Sequence, residues 1–375
     1  MIGASWRPTA TQELLLRATV GDASSAVTAW TDWRNAQDLA DIDSGSSRLL
    51  PLLMPRAHWF PADDPAWPVI RGCYRRALFH GRMLQARAAE AIRLLDKAGI
   101  ATLTLKGGAL VRYYNNNPAL RPMNDLDGLV PRDRAVDAIR LLLANGWTSA
   151  LPLPELLPDA YHSACFTSRD GLDFDLHWHL VPSSNDAGAD DSAWTASVPC
   201  DIGGRAIRAL GPEDLLTVVC AHAALWSPDA PVRWVADAMR LLQAEGHGFD
   251  WKRVGMQARR WHVVPHLAET LRYLRERWHA EVPDALLSQL ENAPLNALDR
   301  RAYAVLGRMP GTTAYLARPW HRYRLRSRNQ GVVAALPGFV RYLKVTLGLT
   351  RTRDLPGEIV ARVRRWRRDR VFRRR

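Results

Sequence analysis

Hydrophobic and polar residues alternate with a period of two in one stretch of the chain, from Leu172 to Leu180. Every second residue of this stretch is apolar, and the positions in between are Asp173, Asp175, His177 and His179. This alternation is typical of a strand with one buried face and one polar face. We therefore expect two acids and two histidines to line a cavity or face water.

A second strand is predicted just before Val130, where Asp125 and Asp127 flank Leu126. Side chains alternate between the two faces of a strand, so the acids point the same way while Leu126 points into the core. An earlier β-like segment, residues 101–105, leads into a glycine turn and a short helix through about Tyr114. Strand, glycine turn, helix and strand thus follow one another directly.

Spacings of three and four between apolar residues predict helices along most of the remaining chain. Near the N-terminus these are Thr11 to Ala18, Asp22 to Ala36 with Asp22 as N-cap, and a segment from Ser46 to Met54. A loop marked by Pro55, Pro61, Pro65 and Pro68 precedes a long helix, Ile70 to Ala98, that ends at Gly99. A proline-rich loop is predicted for Leu151 to Pro158, and further helices for Arg132 to Asn145, Glu213 to Trp226, Val232 to Glu245, Trp251 to Arg260, Val264 to His279 and Pro283 to Asn292.

These elements predict an α+β fold in which helices surround a small mixed sheet. With 375 residues, of which 47% are hydrophobic, the chain is long enough for several domains and a sizeable core. We divide it into an N-terminal helical cap (1–69), an αβ core (70–210), a helical domain (211–310) and a basic C-terminal tail (311–375).

The cysteines and the N-terminus indicate a cytoplasmic protein. Cys73, Cys165, Cys200 and Cys220 are scattered and form no CxxC pair, which argues against a zinc ribbon and for a reducing compartment. The first residues lack the basic patch and apolar run of a signal peptide, and no stretch approaches the roughly 20 apolar residues that span a bilayer.

The net charge of +13 is concentrated at the C-terminal end. Residues 311–375 carry 18 Lys and Arg and three acids, so the preceding 310 residues are close to neutral. Arginines alternate there with aromatic residues, and Ile359, Val360, Val363, Trp366, Val371 and Phe372 fall roughly on one helical side. Three interpretations remain open: an amphipathic helix on the anionic inner face of a membrane, a nucleic-acid contact, and a solvated tail.

Asp125 and Asp127 are the strongest candidates for chemistry. Two neighbouring carboxylates repel each other, and a divalent cation between them keeps both ionised. Asp175 is a candidate for the third acid of a Mg²⁺ or Mn²⁺ site, with Asp173 as its competitor on the same strand face. The alternative for the first pair is two solvated acids on an edge strand.

The segment Lys106-Gly107-Gly108 is a candidate phosphate-binding turn, since glycines let backbone N–H groups approach a triphosphate. An ordinary strand-to-helix turn is the alternative. Arg121 is a candidate phosphate ligand through its forked guanidinium, against a surface arginine held by Asp127 or a helix end.

The segments LKGGAL, RPMNDLDGLV, FDLHWHL, PEDLL, HAALW and VRWVADAMRLL resemble those of poorly characterised bacterial nucleotidyltransferases. This group lies within the superfamily built on the palm of DNA polymerase beta, and the resemblance covers roughly residues 10–280. It implies a nucleotidyltransferase palm, Mg²⁺-dependent transfer from an NTP such as ATP to an unidentified acceptor, and Asp175 as the third carboxylate. The sixteen residues between Gly108 and Asp125 depart from the family pattern, in which this spacing is shorter.

The resemblance also brings other residues near the site. His162 and His222 are placed there by the family likeness, although a satisfied core or interface histidine is the favoured interpretation for each. Arg233 and Asp237, which stand at i and i+4, form an intrahelical ion pair or contact the substrates. His177 and His179 project in one direction and suit a first-row metal as an alternative to the carboxylate site.

Two other functions stay open on the sequence alone. One is a phosphotransferase or hydrolase that uses the same metal site. The other is a noncatalytic nucleotide-binding or scaffold protein recruited to a membrane by the tail. The presence of all three acids argues against the second.

Overall fold

The fold was analysed in a computed structural model that describes residues 6–150, 157–184, 186–225, 232–307 and 312–372. The described part of the chain consists of helices around one sheet. The α-helices are α1 (Ala10–Val20), α2 (Ala23–Ala36), α3 (Ser44–Ser47), α4 (Trp67–Lys97), α5 (Lys106–Leu110), α6 (Ala135–Ala144), α7 (Leu157–Ala160), α8 (Asp191–Thr195), α9 (Pro212–Ala223), α10 (Trp234–Glu245), α11 (Trp251–Arg260), α12 (Val264–Trp278), α13 (Asp284–Glu291), α14 (Ala297–Leu306), α15 (Thr312–Arg326), α16 (Leu336–Thr346) and α17 (Leu355–Phe372). Short 3₁₀ helices cover Leu39–Asp41, Leu50–Trp59, Val111–Tyr114, Arg132–Arg134, Gly246–Gly248 and Thr352–Asp354.

The sheet has six strands in the order β3-β4-β2-β1-β6-β5. The strands are β1 (Leu103–Thr104), β2 (Asp125–Leu129), β3 (Ser163–Thr167), β4 (Asp173–His177), β5 (Val198–Ile202) and β6 (Arg205–Ala209). The pairs β2–β4 and β1–β6 are parallel, and the other three pairs are antiparallel. The mixed sheet surrounded by helices confirms the predicted α+β class.

The two faces of β2 and β4 differ as the alternation predicts. Leu126, Phe174 and Leu176 are buried in one apolar cluster with residues of α4 and α6. Asp127 and Asp175 lie on the other face, and α5, which contacts both β2 and α9, brings Lys106 to Asp127. The predicted strand to Leu180 is too long, because β4 ends at His177 and the backbone N–H groups of Trp178 and His179 both donate to the carbonyl of His162.

Three strands went unrecognised in the sequence. Of these, β5 and β6 form a hairpin around Gly203 and Gly204, whose φ angles are +61° and +83°. Positive φ at both turn residues is what a two-residue hairpin with matching strand twist requires, and Gly-Gly supplies it without steric cost. This dipeptide was the signal available for the hairpin.

The N-terminal helices share a core with the helical region that follows the sheet. Trp6 packs edge-on against Trp234 and Tyr273, with ring centroids 5.8 and 5.6 Å apart. Asp22 caps α2 by accepting a hydrogen bond from the backbone N–H of Ser25, as predicted. The predicted proline loop is partly wrong, because residues 50–59 continue as a 3₁₀ helix through Pro55, and Pro68 stands in the first turn of α4. The four-part division of the chain stays a prediction.

The five helices predicted after residue 211 correspond to α9 through α13. The observed helices start or end one to three residues away from the predicted bounds at several termini, as is common at helix ends. The end predicted at Trp226 lies outside the described residues, and so does most of the proline-rich loop predicted for Leu151 to Pro158.

The basic C-terminal segment is folded onto the body. Tyr323 of α15 and Tyr342 of α16 are buried together with Ala160 of α7. Arg328 donates a hydrogen bond to the carbonyl of Ser183 at 2.8 Å. In α17, Trp366 stacks on Tyr315 with ring centroids 4.9 Å apart, so part of its predicted apolar side packs internally.

The side chains of Val371 and Phe372 and all of residues 373–375 lie outside what the structure describes. Among the described helices, none combines the length and the apolarity needed to cross a membrane.

Candidate functional site

Strand pairing places two carboxylates and an imidazole together. Parallel pairing of β2 and β4 sets Asp127 opposite Asp175, and His177 follows two residues later on the same face. The His177 Nε2 lies 3.1 Å from Asp127 Oδ1 and 2.9 Å from Asp175 Oδ2. One ligand atom from each of the three residues lies within 4.8 Å of the others. Two carboxylate oxygens and one imidazole nitrogen at these distances could hold a divalent metal ion.

His177 is oriented by its second ring nitrogen. Its Nδ1 lies 3.3 Å from the carbonyl oxygen of His179, and the side chain is 1% exposed. With the proton on Nδ1 donated to this carbonyl, Nε2 presents its lone pair toward the two acids, which is how metal-binding histidines are commonly held. Without a metal, burial lowers the pKa of His177 while Asp175 and Asp127 raise it, with a net rise to about 9.

Lys106 lies beside the same acids. Its Nζ donates to Asp127 Oδ1 at 2.7 Å. Burial alone would raise the pKa of Asp127, but Lys106 and His177 outweigh it and hold this pKa well below its ordinary range. The backbone of Lys106 has φ +23°, an uncommon conformation for a residue with a side chain. Backbone strain of this kind clusters at functional sites.

Asp125 and Asp173 face each other two residues before the central pair of acids. Asp173 accepts a hydrogen bond from Thr167 Oγ1 at 2.7 Å and is thereby turned toward β3. Asp125 is exposed at the cleft, and it is not part of the compact group of Asp127, Asp175 and His177. Loss of surrounding water and repulsion from Asp127 raise the pKa of Asp125 to about 6.

The two glycines of the predicted phosphate turn have different surroundings. Gly107 lines the cleft, and a Cβ there would lie 2.9 Å from Arg121 Nη1. Gly108 faces the sheet, where a Cβ would lie 2.3 Å from Thr104 Oγ1 and 2.5 Å from Leu126 Cδ2. The absence of a side chain at Gly108 therefore allows α5 to pack against β1 and β2, whereas Gly107 is the glycine that faces the cleft.

Arg121 is a buried residue with a buried partner. Its Nε and Nη2 each donate to the carboxylate of Asp237 at 3.0 Å, and Tyr114 donates to the same carboxylate at 2.8 Å. The alternative prediction, that Arg121 is a surface arginine, is therefore wrong. The i,i+4 pair of Arg233 with Asp237 is long at 3.8 Å, and Arg233 donates instead to the carbonyl of Pro122.

Basic and acidic side chains line a cleft of about 260 Å³ next to Asp125 and Asp127. Arg48, Lys106, Arg121 and Arg233 line it together with Asp125, Asp127 and Asp237. Burial and the nearby Arg121 lower the pKa of Arg233 to about 10, so it remains cationic at neutral pH. The cleft thus combines three carboxylates with four positive side chains, and Asp127 joins it to the group of Asp127, Asp175 and His177 that could hold a metal ion.

The sequence missed Arg48, which no local pattern marks. It reaches the cleft because the N-terminal helices pack beside α10.

The sixteen residues between Gly108 and Asp125 complete α5, form a 3₁₀ helix and bring Arg121 back beside Gly107. The backbone N–H of Leu105, just before the glycine turn, donates to the carbonyl of Asp127 at 3.0 Å. The long spacing is therefore compatible with a glycine turn that lies beside the acids.

The other histidines are distributed around the site. His179 turns away and pairs with Asp190 at 3.2 Å, so the two histidines predicted to project together are separated. His162 lies edge-on to His177, with ring centroids 5.4 Å apart. His222 of α9 lines the cleft with an exposed side chain.

Comparison with known proteins gives one family match. A family model described as uncharacterised nucleotidyltransferase matches residues 32–279, which include every cleft residue named above. No curated protein matches the chain.

Two solved structures are similar at low identity. The antibiotic-resistance factor ANT(2'')-Ia is 13% identical over 53% of this chain and 97% of its own, with a TM-score of 0.35. An antigenic nucleotidyltransferase-like protein from Paracoccidioides brasiliensis is 12% identical over 56% of this chain and 95% of its own, with a TM-score of 0.35.

Proposed function

We propose that this chain moves a nucleotidyl group from an NTP to a hydroxyl or phosphate of an acceptor. The chain belongs to the family of uncharacterised nucleotidyltransferases and is an enzyme of that class. Mg²⁺ or Mn²⁺ is the proposed cofactor. The observation that carries the proposal is the compact group of Asp127, Asp175 and His177, of which Asp127 lines a cationic cleft.

In this proposal the three residues of the group share one role, and Asp175 has a second. Asp127, Asp175 and His177 hold the cation, which when bound neutralises charge on the phosphates and activates the attacking oxygen. Asp175 is the more exposed of the two acids, with 20% of its side chain accessible against 5% for Asp127. It is therefore our choice for the group that takes the proton from the acceptor.

The triphosphate is proposed to lie against Gly107 and the positive side chains Lys106, Arg48, Arg121 and Arg233. The acceptor oxygen forms a bond to the α-phosphorus while the bond from that phosphorus to the bridging oxygen breaks. Pyrophosphate leaves with the electron pair of that bond, and the nucleoside monophosphate stays on the acceptor.

The test is a labelling experiment on the full-length protein. Each of the four NTPs, radiolabelled at the α-phosphate, is incubated with the protein, Mg²⁺ or Mn²⁺, and a lysate of the host. We expect one NTP to transfer label to one acceptor class, and EDTA to prevent this. Transfer from γ-labelled but not α-labelled NTP would identify a phosphotransferase instead, and NTP binding without any transfer would favour a noncatalytic protein.

The C-terminal segment supports a peripheral position on an anionic membrane as a second proposal. Four apolar residues around the start of α16 are exposed by 40% to 79%: Val332, Val333, Leu336 and Val340. Between residues 312 and 350 the chain has seven Arg and Lys and no acid. Apolar side chains surrounded by positive charge are complementary to the interface of an anionic bilayer. Retention of the protein on nucleic acid rather than on vesicles would count against this location.

A further inference from the structure

A second cavity, of about 280 Å³, adjoins the cationic cleft. Lys106 and His222 line both spaces, so the two meet at the residue whose ammonium contacts Asp127. His162 lines the second cavity and lies edge-on to His177 of the metal-binding group. A molecule in this cavity would therefore have one end next to the proposed reacting centre.

The walls of the cavity are mostly apolar. They include Leu180 and Val181 after β4, Val218 of α9, Ala302 of α14 and Leu325 of α15, with the ring of Tyr342 of α16. The volume is close to the lower end of the range for small-molecule sites, about 300–1,000 Å³. This environment suits the apolar body of a small molecule, because burial there removes apolar surface from water.

The charged side chains of the cavity are mainly positive. Arg322 and Arg326 of α15 line it, and Arg322 is exposed, which places it at an opening. No carboxylate of the described residues lies within ion-pair distance of Arg322. Among the described residues that line the cavity, Asp299 is the one carboxylate, and it is already held by Arg328 at 3.4 Å and by His262 at 3.7 Å.

One buried polar atom in the wall has no partner. His266 is 8% exposed, and its Nδ1 makes no hydrogen bond with any residue that the structure describes. Burial lowers the pKa of His266 to about 4, so the ring is neutral at physiological pH. A neutral imidazole nitrogen offers a hydrogen bond to a hydroxyl or carbonyl group of a ligand.

We propose, on the basis of the function proposed above, that the acceptor is a small amphiphile carrying a hydroxyl group and an anionic group on an apolar body. The apolar body fills the cavity, the anion meets Arg322, and the hydroxyl lies at the boundary with the cleft near Lys106. The hydroxyl oxygen forms the bond to the α-phosphorus of the NTP, its proton passes to Asp175, and pyrophosphate leaves. A polycationic acceptor is excluded by the same charges, since the cavity has two arginines and a carboxylate that is already paired.

Binding is tested first, without turnover. Anilinonaphthalene sulfonate, an apolar anion, is titrated into the full-length protein and displaced by ω-hydroxydecanoate, by its uncharged methyl ester, or by the polycation spermine. We expect saturable dye binding, displacement by the hydroxy acid, weaker displacement by the ester and none by spermine. Displacement by spermine as effective as by the hydroxy acid would overturn the proposal.

Variants then locate the ligand. Ala302→Trp fills the cavity and is expected to abolish binding of the hydroxy acid. Arg322→Ala removes an exposed charge and should weaken that binding about tenfold, the loss of one charge-assisted hydrogen bond. Arg341→Ala, an equally exposed arginine on α16 outside the cavity, is the matched control and should change nothing. Unchanged hydroxy acid binding in both Ala302→Trp and Arg322→Ala would refute the cavity as its site.

The final step uses label transfer with α-labelled NTP and ω-hydroxydecanoate or host lysate. We expect Arg322→Ala to lower transfer to the hydroxy acid by the same factor as its binding, with NTP binding unchanged. Transfer to the lysate acceptor at the wild-type rate in Ala302→Trp would show that the acceptor does not use the cavity. If the wild-type protein transfers no label at all, the nucleotidyltransferase proposal fails, whereas the binding titrations still decide the ligand class of the cavity.

Discussion

The cationic cleft and the apolar cavity meet at Lys106 and His222 but are built in different ways. Asp127 of the cleft and its neighbour Asp175 come from two adjacent strands, β2 and β4, whose alternation is visible in the sequence. The cavity is built from segments between residues 106 and 342 that contact one another only after folding. If the proposed roles hold, nucleotidyl transfer depends on a short local pattern, and the choice of acceptor depends on how distant helices pack.

The two regions also differ in how they carry charge. The cleft crowds three acids and four basic side chains around a small volume, where Asp127 is held by Lys106 and Asp237 by Arg121. In the cavity, a few positive side chains lie beside mostly apolar walls. Substitutions in the cleft should therefore affect catalysis and folding together, whereas substitutions around the cavity should affect binding of one substrate.

The largest effect is expected for Asp127→Asn, which removes a proposed metal ligand. Nucleotidyl transfer should fall by about a thousandfold, because the remaining ligands bind the cation weakly. Thermal unfolding should shift to lower temperature, since Lys106 and His177 lose their common partner. Rates of label transfer and a melting curve measure both effects, and wild-type turnover in this variant would reject the metal site.

A second large effect is expected for Asp237→Ala, because Asp237 lines the cleft and is the buried partner of Arg121. It leaves the guanidinium of Arg121 buried without a counter-charge and should cost about 3–5 kcal/mol of unfolding free energy. Asp137→Ala, which breaks an exposed pair with Arg134, is the control and should cost less than about 1 kcal/mol. Urea unfolding at equilibrium measures both, and equal losses in the two variants would contradict the buried role of Asp237.

A moderate effect is expected on the cavity side, where the C-terminal segment supplies both a wall and an exposed apolar surface. Val333→Asp with Leu336→Asp should reduce sedimentation with anionic vesicles at least about tenfold, because two apolar side chains no longer enter the interface. Val27→Asp with Met256→Asp, also exposed but on α2 and α11, is the control. Added salt should weaken the wild-type interaction. Vesicle binding that is equal in both double variants would reject α16 as the contact.

The smallest effect is expected for Asp125→Asn in the metal-free protein. Because the folded-state pKa of Asp125 is raised to about 6, its ionisation destabilises the native state as the pH rises from about 4 through 6. The variant should therefore melt a few degrees above the wild type near neutral pH, and the difference should disappear below about pH 4, where both residues are neutral. A difference that persists in acid would point to another cause.

Several features of the site follow from the sequence alone. Alternation in the two strands predicted that Asp125 and Asp127 share a face and that the acids and His177 of the later strand line a cavity. The family resemblance favoured Asp175 over Asp173. The sequence did not distinguish Asp125 from Asp127, because their local surroundings look equivalent, nor did it separate His177 from His179, because the end of β4 depends on hydrogen bonds to His162.

The α+β class, most helices and the acid face of the sheet could be predicted before folding is considered, because they depend on periodicities of two and 3.6 residues within single segments. Tertiary structure decided the rest. It paired Arg121 with Asp237, brought Arg48 into the cleft, turned Gly108 toward the sheet and folded the basic segment over a cavity. These contacts join residues up to about two hundred positions apart, and local periodicity contains no information on which remote segments meet.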